Sequence, residues 1–311
     1  MKATYTMTKV VFFGTEDFSA ISLRALIDAN FPVAAVVTKP DSKRGRGQQL
    51  VEPTVKIIAI EHNIPVWQPL KLSDIATDIS SLDNPIGVLV SFGKIIPQSI
   101  IDLFTPGIIN VHPSMLPKYR GPSPIESAIL NGDSETAVTI MQLSAAMDAG
   151  PVYGYSPLQL SGTETSAELY EKLGSLGAET LTKLLPLIIN GDVTPIEQDD
   201  ERASYCKLIS KEDGVIDWKK PATQIEREVR AYAGWPGSRA TIGDIDCIIT
   251  SLMVASCSQT DNTPGAIAII DKRLYIGTAN GSVEITDIKP VGKKEMPVKA
   301  FLAGYKDKLQ A

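Results

Sequence analysis

The feature that most constrains this chain is a short apolar run followed at once by a helical pattern. Residues Lys9 to Phe13 read as a buried strand, and Gly14 to Phe18 as the turn that leaves it. Phe18, Ile21, Leu23, Leu26 and Ile27 then recur at helical spacing as far as Asn30, and Val33 to Thr38 is again strand-like. Two strands joined through a helix must lie parallel, because a tight hairpin cannot connect them. The alternation continues with a helix near Val55 to His62, a short strand at Pro65 to Trp67, and strands at Ile86 to Val90 and Ile108 to His112. The expected architecture is an α/β domain with a doubly wound, mostly parallel, Rossmann-like sheet.

Ser123, Pro124 and Glu126 have the residue types of a helix start that should end near Asn131 and Gly132. Ala137 to Leu143 alternates like a strand, and Thr165 with Glu168 forms a capping box for a helix running towards Asn190. Pro186 should kink that helix or mark its last turns. Asp192 to Arg202 is polar and acidic, with no apolar period. After a helix at Ala222 to Tyr232 come short strands at Ser238 to Ile242, Cys247 to Val254, Gly265 to Ile270, Arg273 to Gly277 and Ser282 to Ile288. Strands of that length and spacing suggest a small β-barrel. The domain boundaries expected are therefore 1–190, a linker at 191–207, and 208–311.

Of the 311 residues, 43% are hydrophobic and 21% charged, as in ordinary globular proteins. The net charge of −6 gives no global basic field, so contact with nucleic acid would need local patches. Cys206, Cys247 and Cys257 are too widely spaced for a disulfide framework or a zinc site, which favours a reducing cytoplasm and no metal. No window approaches the ~20 apolar residues of a membrane span, and the N-terminal run is too short for a signal-peptide core.

Side chains two apart on a strand share a face. Asn110 and His112 would project together from the carboxyl end of a strand, where open α/β sheets bind ligands. An amide N–H and an imidazole suit a reaction in which a carbonyl oxygen gains charge and a leaving nitrogen takes a proton. A purely structural histidine remains an equal alternative at this point. Asp148, in the sequence Met147 to Pro151, is either a turn former or a carboxylate that orients and charges His112. The stretch Lys39 to Gly47 sets Lys39, Lys43, Arg44 and Arg46 against Asp41 alone. It is a solvated loop or a phosphate-binding one. A second basic run spans Lys289 to Lys299. Gly14 to Phe18 lacks the dinucleotide fingerprint, and Glu16 and Asp17 would repel a pyrophosphate.

Taken together, Asn110 to Gly121, Met141 to Pro151 and the basic loop resemble the folate-dependent formyltransferases over nearly the whole chain. The resemblance implies transfer of a formyl group from 10-formyltetrahydrofolate to the α-amine of methionine on initiator tRNA. It also implies a catalytic trio of Asn110, His112 and Asp148, and a folate-contacting segment at Ser114, Met115, Leu116 and Pro117. For the remainder it implies tRNA contacts from Lys43, Arg44 and Arg46, and an OB-like C-terminal barrel; a monomer is expected. Ser144, Ala145 and Ala146 stand where that family has an acidic residue and a glycine. A left-handed backbone at Ala146 would strain the loop. Met115 and Lys118 replace a leucine and an arginine.

Rival readings remain. A nucleotide-sugar formyltransferase can carry a similar barrel, whereas a glycinamide ribonucleotide formyltransferase usually ends after one domain. A non-catalytic nucleic-acid-binding protein leaves the trio without joint purpose. A nicotinamide oxidoreductase lacks its glycine fingerprint.

Overall fold

The computed structural model describes residues 8–44, 47–256, 259–260, 263–305 and 309. In chain order, the first strands and helices are β1 (Val10–Gly14), α1 (Asp17–Asp28), β2 (Val33–Val37), β3 (Ser42–Arg44), β4 (Gln49–Val51), α2 (Thr54–Glu61), β5 (Val66–Trp67), α3 (Ala76–Ser80), β6 (Ile86–Val90), α4 (Gln98–Ile101) and β7 (Ile108–His112). There follow α5 (Pro124–Asn131), β8 (Glu135–Gln142), β9 (Val152–Gln159) and α6 (Ser166–Asn190). The main sheet has seven strands in the order β5-β2-β1-β6-β7-β8-β9. The first five are parallel neighbours, while β8 pairs antiparallel with both β7 and β9.

Every residue of β1 is buried, as expected of a central parallel strand covered on both faces. Val11 and Phe13 face a cluster that includes Ile79, Ile100, Ile101 and Phe104. Phe13 meets Phe92 and Phe104 edge-on, with ring centroids 5.6 and 5.8 Å away. The chain moves outwards from β1 through β2 to β5 and then returns to β6 on the other side, so the strand order reverses between β1 and β6. At that switch point Thr15 is tied down: its N–H donates to the Ser91 carbonyl and its Oγ1 to that of Phe92. The next strand beyond β6 is β7, which carries Asn110 and His112.

The basic stretch expected to be a loop contributes β3 to an antiparallel hairpin with β4, in which Lys43 pairs with Leu50. Its strands are three residues each, and Ser42, Lys43 and all of β4 are exposed, so no alternation betrays them in the sequence. Thr165 and Glu168 make the expected reciprocal cap, with Thr165 N–H donating to Glu168 Oε2 at 2.8 Å. Pro186 lies within α6.

Contacts divide the chain into two compact units. The first contains residues 1–124, 135–159 and 170–206; the second contains 125–134, 160–169 and 207–311. The remaining elements are α7 (Ala222–Ala231), β10 (Ser238–Ile242), β11 (Ile245–Val254), β12 (Ile267–Ile270), β13 (Arg273–Gly277), β14 (Ser282–Pro290), β15 (Met296–Pro297) and α8 (Val298–Tyr305). They build an antiparallel sheet in the order β10-β11-β14-β13-β12, with β15 added on β14. Among the described residues no pairing joins β10 to β12, so the sheet is open rather than the closed barrel that strand spacing suggests. Irregular register between Ile249 and Leu252 interrupts the β11–β14 ladder. Ile225 and Val229 of α7 and Phe301 and Leu302 of α8 fill the core with Leu274, Ile276 and Ile285.

Candidate active site

Strand β7 presents Asn110 opposite Met141 and His112 opposite Thr139 of β8. Both side chains lie at the sheet's carboxyl end and both residues are 5% exposed. After β8 the chain folds back through residues 143–151 and brings Asp148 to them. Asp148 Oδ2 lies 3.8 Å from His112 Nδ1, and Oδ1 lies 3.5 Å from Asn110 Nδ2. The Gly121 N–H donates to Oδ2 at 2.8 Å. The fold thus brings together three residues expected from the sequence to act jointly, Asn110 and Asp148 lying 38 positions apart in the chain.

The imidazole has a defined orientation. His112 Nε2 is 3.0 Å from the Tyr119 carbonyl oxygen, which can only accept. Nε2 therefore carries the proton, and Nδ1 faces the Asp148 carboxylate. The Asn110 amide is engaged only at the limit of a hydrogen bond, so its N–H groups can turn to a ligand.

Two glycines are required here by close approach. A Cβ on Gly150 would lie 1.9 Å from the Gln142 carbonyl oxygen. One on Gly121, where φ is +120°, would lie 2.6 Å from the Cys206 carbonyl oxygen. The left-handed residue of the returning loop is Asp148, with φ 49°, while Ala146 is not left-handed. The strain expected at Ala146 is absent because the unusual conformation falls on an aspartate, a residue that tolerates it better than most.

Behind the trio lies a group of residues that sequence reasoning did not single out. Arg120 is 2% exposed. It donates from Nε and Nη2 to Gln198 Oε1 at 3.0 and 2.9 Å, from Nη2 to Asp200 at 2.7 Å, and from Nη1 to the Tyr205 hydroxyl at 3.2 Å. Burial opposes its charge, but the hydrogen bonds to Asp200 and Tyr205 outweigh it and raise the guanidinium pKa. Its backbone is held between Ser204 and Cys206. Residues 198–206 thus belong to the site's framework. Their only sequence signal is polarity, which a linker shares.

Ser114 and Leu116, half of the segment assigned to folate, turn inwards. Ser114 Oγ donates to the Lys118 carbonyl at 2.6 Å, and Leu116 packs on Met141 and Val152. Met115 and Pro117 are half-buried and remain available to a ligand. Lys43 and Arg44 lie on β3, with Lys43 exposed; Arg46 lies outside the described residues. Asp41 anchors the start of this hairpin. It accepts from Lys56 at 2.7 Å and Gln68 at 2.8 Å, and these bonds hold its carboxyl below the usual range. Among the described residues no group of three or more His, Cys, Asp or Glu could hold a metal ion, and no helix is long and apolar enough to cross a membrane.

Known proteins resemble the chain at two levels. Residues 8–185 match the family model described as formyl transferase, and residues 208–306 match the formyl transferase C-terminal domain. A methionyl-tRNA formyltransferase of Pseudoalteromonas translucida is 39% identical, over 96% of this chain and 94% of its own length. One of Geobacter sulfurreducens is 36% identical over the same shares. Among solved structures, an N-formyltransferase of Helicobacter canadensis in complex with folinic acid and dTDP-3-aminofucose superposes with a TM-score of 0.69. It is 20% identical, and the match covers 91% of this chain and 100% of that one. HypX of Aquifex aeolicus in complex with tetrahydrofolic acid superposes at 0.63 with 18% identity, over 96% of this chain and 48% of that one.

Proposed function

The chain belongs to the formyl transferase family, and from that premise we propose that it formylates the α-amino group of methionyl initiator tRNA, taking the formyl group from 10-formyltetrahydrofolate. The observation that carries the chemistry is the meeting of Asn110, His112 and Asp148 at the end of β7. The acceptor rests on relatives of that name, matched over nearly their whole length.

Bound folate supplies an activated formyl group on a nitrogen that can leave. The chain's own residues do the rest. Asn110 Nδ2 donates to the formyl oxygen as the amine attacks and the oxygen gains negative charge. His112 Nδ1 and Asp148 Oδ2 face each other across 3.8 Å. They take the proton that the attacking amine must lose, and an imidazolium so formed is balanced by the carboxylate. A proton passes to the departing folate nitrogen as its bond to the formyl carbon breaks. No serine or cysteine nucleophile stands in a recognised motif, so transfer is direct. Met115 and Pro117 line the folate side, with Ser114 and Leu116 shaping the turn from within.

In this reading residues 1–190 carry the reacting groups, the linker 191–207 also braces them through residues 198–206, and 208–311 form an OB-like tRNA-binding domain. Lys43, Arg44 and Arg46 contact the tRNA backbone, and the protein acts as a cytoplasmic monomer. A nucleotide-sugar acceptor has less behind it, because solved sugar formyltransferases such as that of Helicobacter canadensis share the fold at about a fifth identity only. General acid–base help is worth ~10²–10⁴-fold and one oxyanion donor ~10²–10³-fold. Asn110→Ala and His112→Ala should each cut turnover on methionyl-tRNA by about a hundredfold or more while the protein stays folded. Normal turnover in both would remove the assignment.

A further inference from the structure

We propose that Gln198 is a positioning residue for Asp148, with Arg120 fixing the orientation of its amide. The proposal deepens the reading of Asp148 as part of the reacting site and rests on it.

Ile196 exchanges two backbone hydrogen bonds with Val152, of 2.7 and 2.8 Å, which lays the segment against the start of β9. Two residues on, Gln198 Nε2 donates to the carbonyls of Asp148 at 2.8 Å and Gly150 at 2.7 Å. Its Oε1 accepts both bonds from Arg120. A guanidinium only donates and a carbonyl only accepts, so the amide cannot flip without losing all four contacts. The first of these carbonyls belongs to the residue whose φ is 49°, and the second lies two residues further along the returning loop. Aspartate tolerates the left-handed region without preferring it, and Gln198 holds it there from behind. The Asp148 carboxylate then meets the Gly121 N–H on its front side. Releasing Gln198 should therefore loosen Asp148 and, through it, the Gly121 amide.

Two variants and two readouts test this on the full chain. Gln198→Met keeps the length and removes both polar groups. Gln198→Glu still gives Arg120 an acceptor, so the fold is retained, but it turns an oxygen on two carbonyls. In both, the Gly121 amide should exchange with deuterium at least about tenfold faster, because local opening follows the lost bonds. Amides in β2 and β6 should keep their rates within about twofold. With methionyl-tRNA and 10-formyltetrahydrofolate, kcat should fall about tenfold or more with both KM values little changed, as for loss of an aligned group. Unchanged exchange at Gly121 in Gln198→Glu, or faster exchange spread evenly through β2 and β6, would overturn the proposal. The exchange result stands or falls whatever the acceptor, whereas an inactive wild type would defeat the formylation reading alone.

Discussion

Replacing Asp148 with asparagine removes one charge and leaves the shape nearly intact. The asparagine oxygen can still accept from the Gly121 N–H, which now bonds Asp148 Oδ2 at 2.8 Å. Its amino group then faces Asn110, donor against donor. The larger loss is at His112, whose Nδ1 lies 3.8 Å from the carboxylate. At that separation, with an effective dielectric constant of about 20, a pair of unit charges interacts by about 4 kcal/mol. The Asp148 side chain is 16% exposed, so water screens part of this. About 2–4 kcal/mol of stabilisation for an imidazolium formed during transfer remains at stake. Each 1.36 kcal/mol of barrier is about tenfold in rate, so Asp148→Asn should lower kcat roughly 30- to 1,000-fold. KM for both substrates should change little, since the carboxylate serves the transition state more than the ground state. The assay is steady-state formylation of methionyl-tRNA over a range of both substrates, with thermal melting as the check on folding. A well-folded variant whose kcat lies within about threefold of wild type would refute the electrostatic role.

Gly150→Ala would set a methyl group 1.9 Å from the Gln142 carbonyl oxygen, so the loop must shift. Overpacking of this kind costs about 1–3 kcal/mol, and calorimetry should record a Tm lower by about 2–10 °C together with reduced kcat. Affinity for tRNA should fall steeply with salt, and Arg44→Ala and Arg46→Ala should each flatten the log–log slope by about 0.9 per lost phosphate contact. Filter-binding titrations at several salt concentrations check this, and a salt-insensitive affinity would exclude the loop as a phosphate contact. Asp213 accepts hydrogen bonds from Lys207 and from the Ser210 backbone and hydroxyl, which hold its carboxyl down to about 2. A carboxylate depressed in the folded state contributes stability above its unfolded value of about 3.9, and loses it as pH falls through its folded value. Melting curves should accordingly show a smaller loss of Tm between about pH 4 and pH 2 for Asp213→Asn than for wild type.

Strand β7 was legible because its apolar period and the turn residues after it coincide, and the predicted limits Ile108 to His112 match the observed ones. Period two also puts Asn110 and His112 on one face of that strand. The strand β9 was hidden by Gly154 and Pro157. Proline is tolerated there because β9 is the last strand of the sheet, where a missing N–H leaves no central ladder broken. The helix α8 has Val298, Phe301 and Leu302 at helical spacing, but it begins inside the basic run Lys289 to Lys299, which hides its start. The meeting of Asp148 with His112 needs the chain to double back between β8 and β9, and no local pattern encodes that return. Gln198 lies further from the reach of sequence. An isolated glutamine in an acidic stretch acquires meaning only from the two carbonyls and the guanidinium that surround it.

The most direct measurement offers the wild-type enzyme one donor and several acceptors. 10-Formyltetrahydrofolate labelled in its formyl group is mixed with equal concentrations of initiator methionyl-tRNA, glycinamide ribonucleotide and a dTDP-amino sugar, and the label is followed into each product. Label in N-formylmethionine attached to tRNA, entering about a hundredfold or more slowly with the His112→Ala protein, is the predicted result. Label in the sugar or the ribonucleotide instead, or transfer at the wild-type rate without the imidazole, would contradict it.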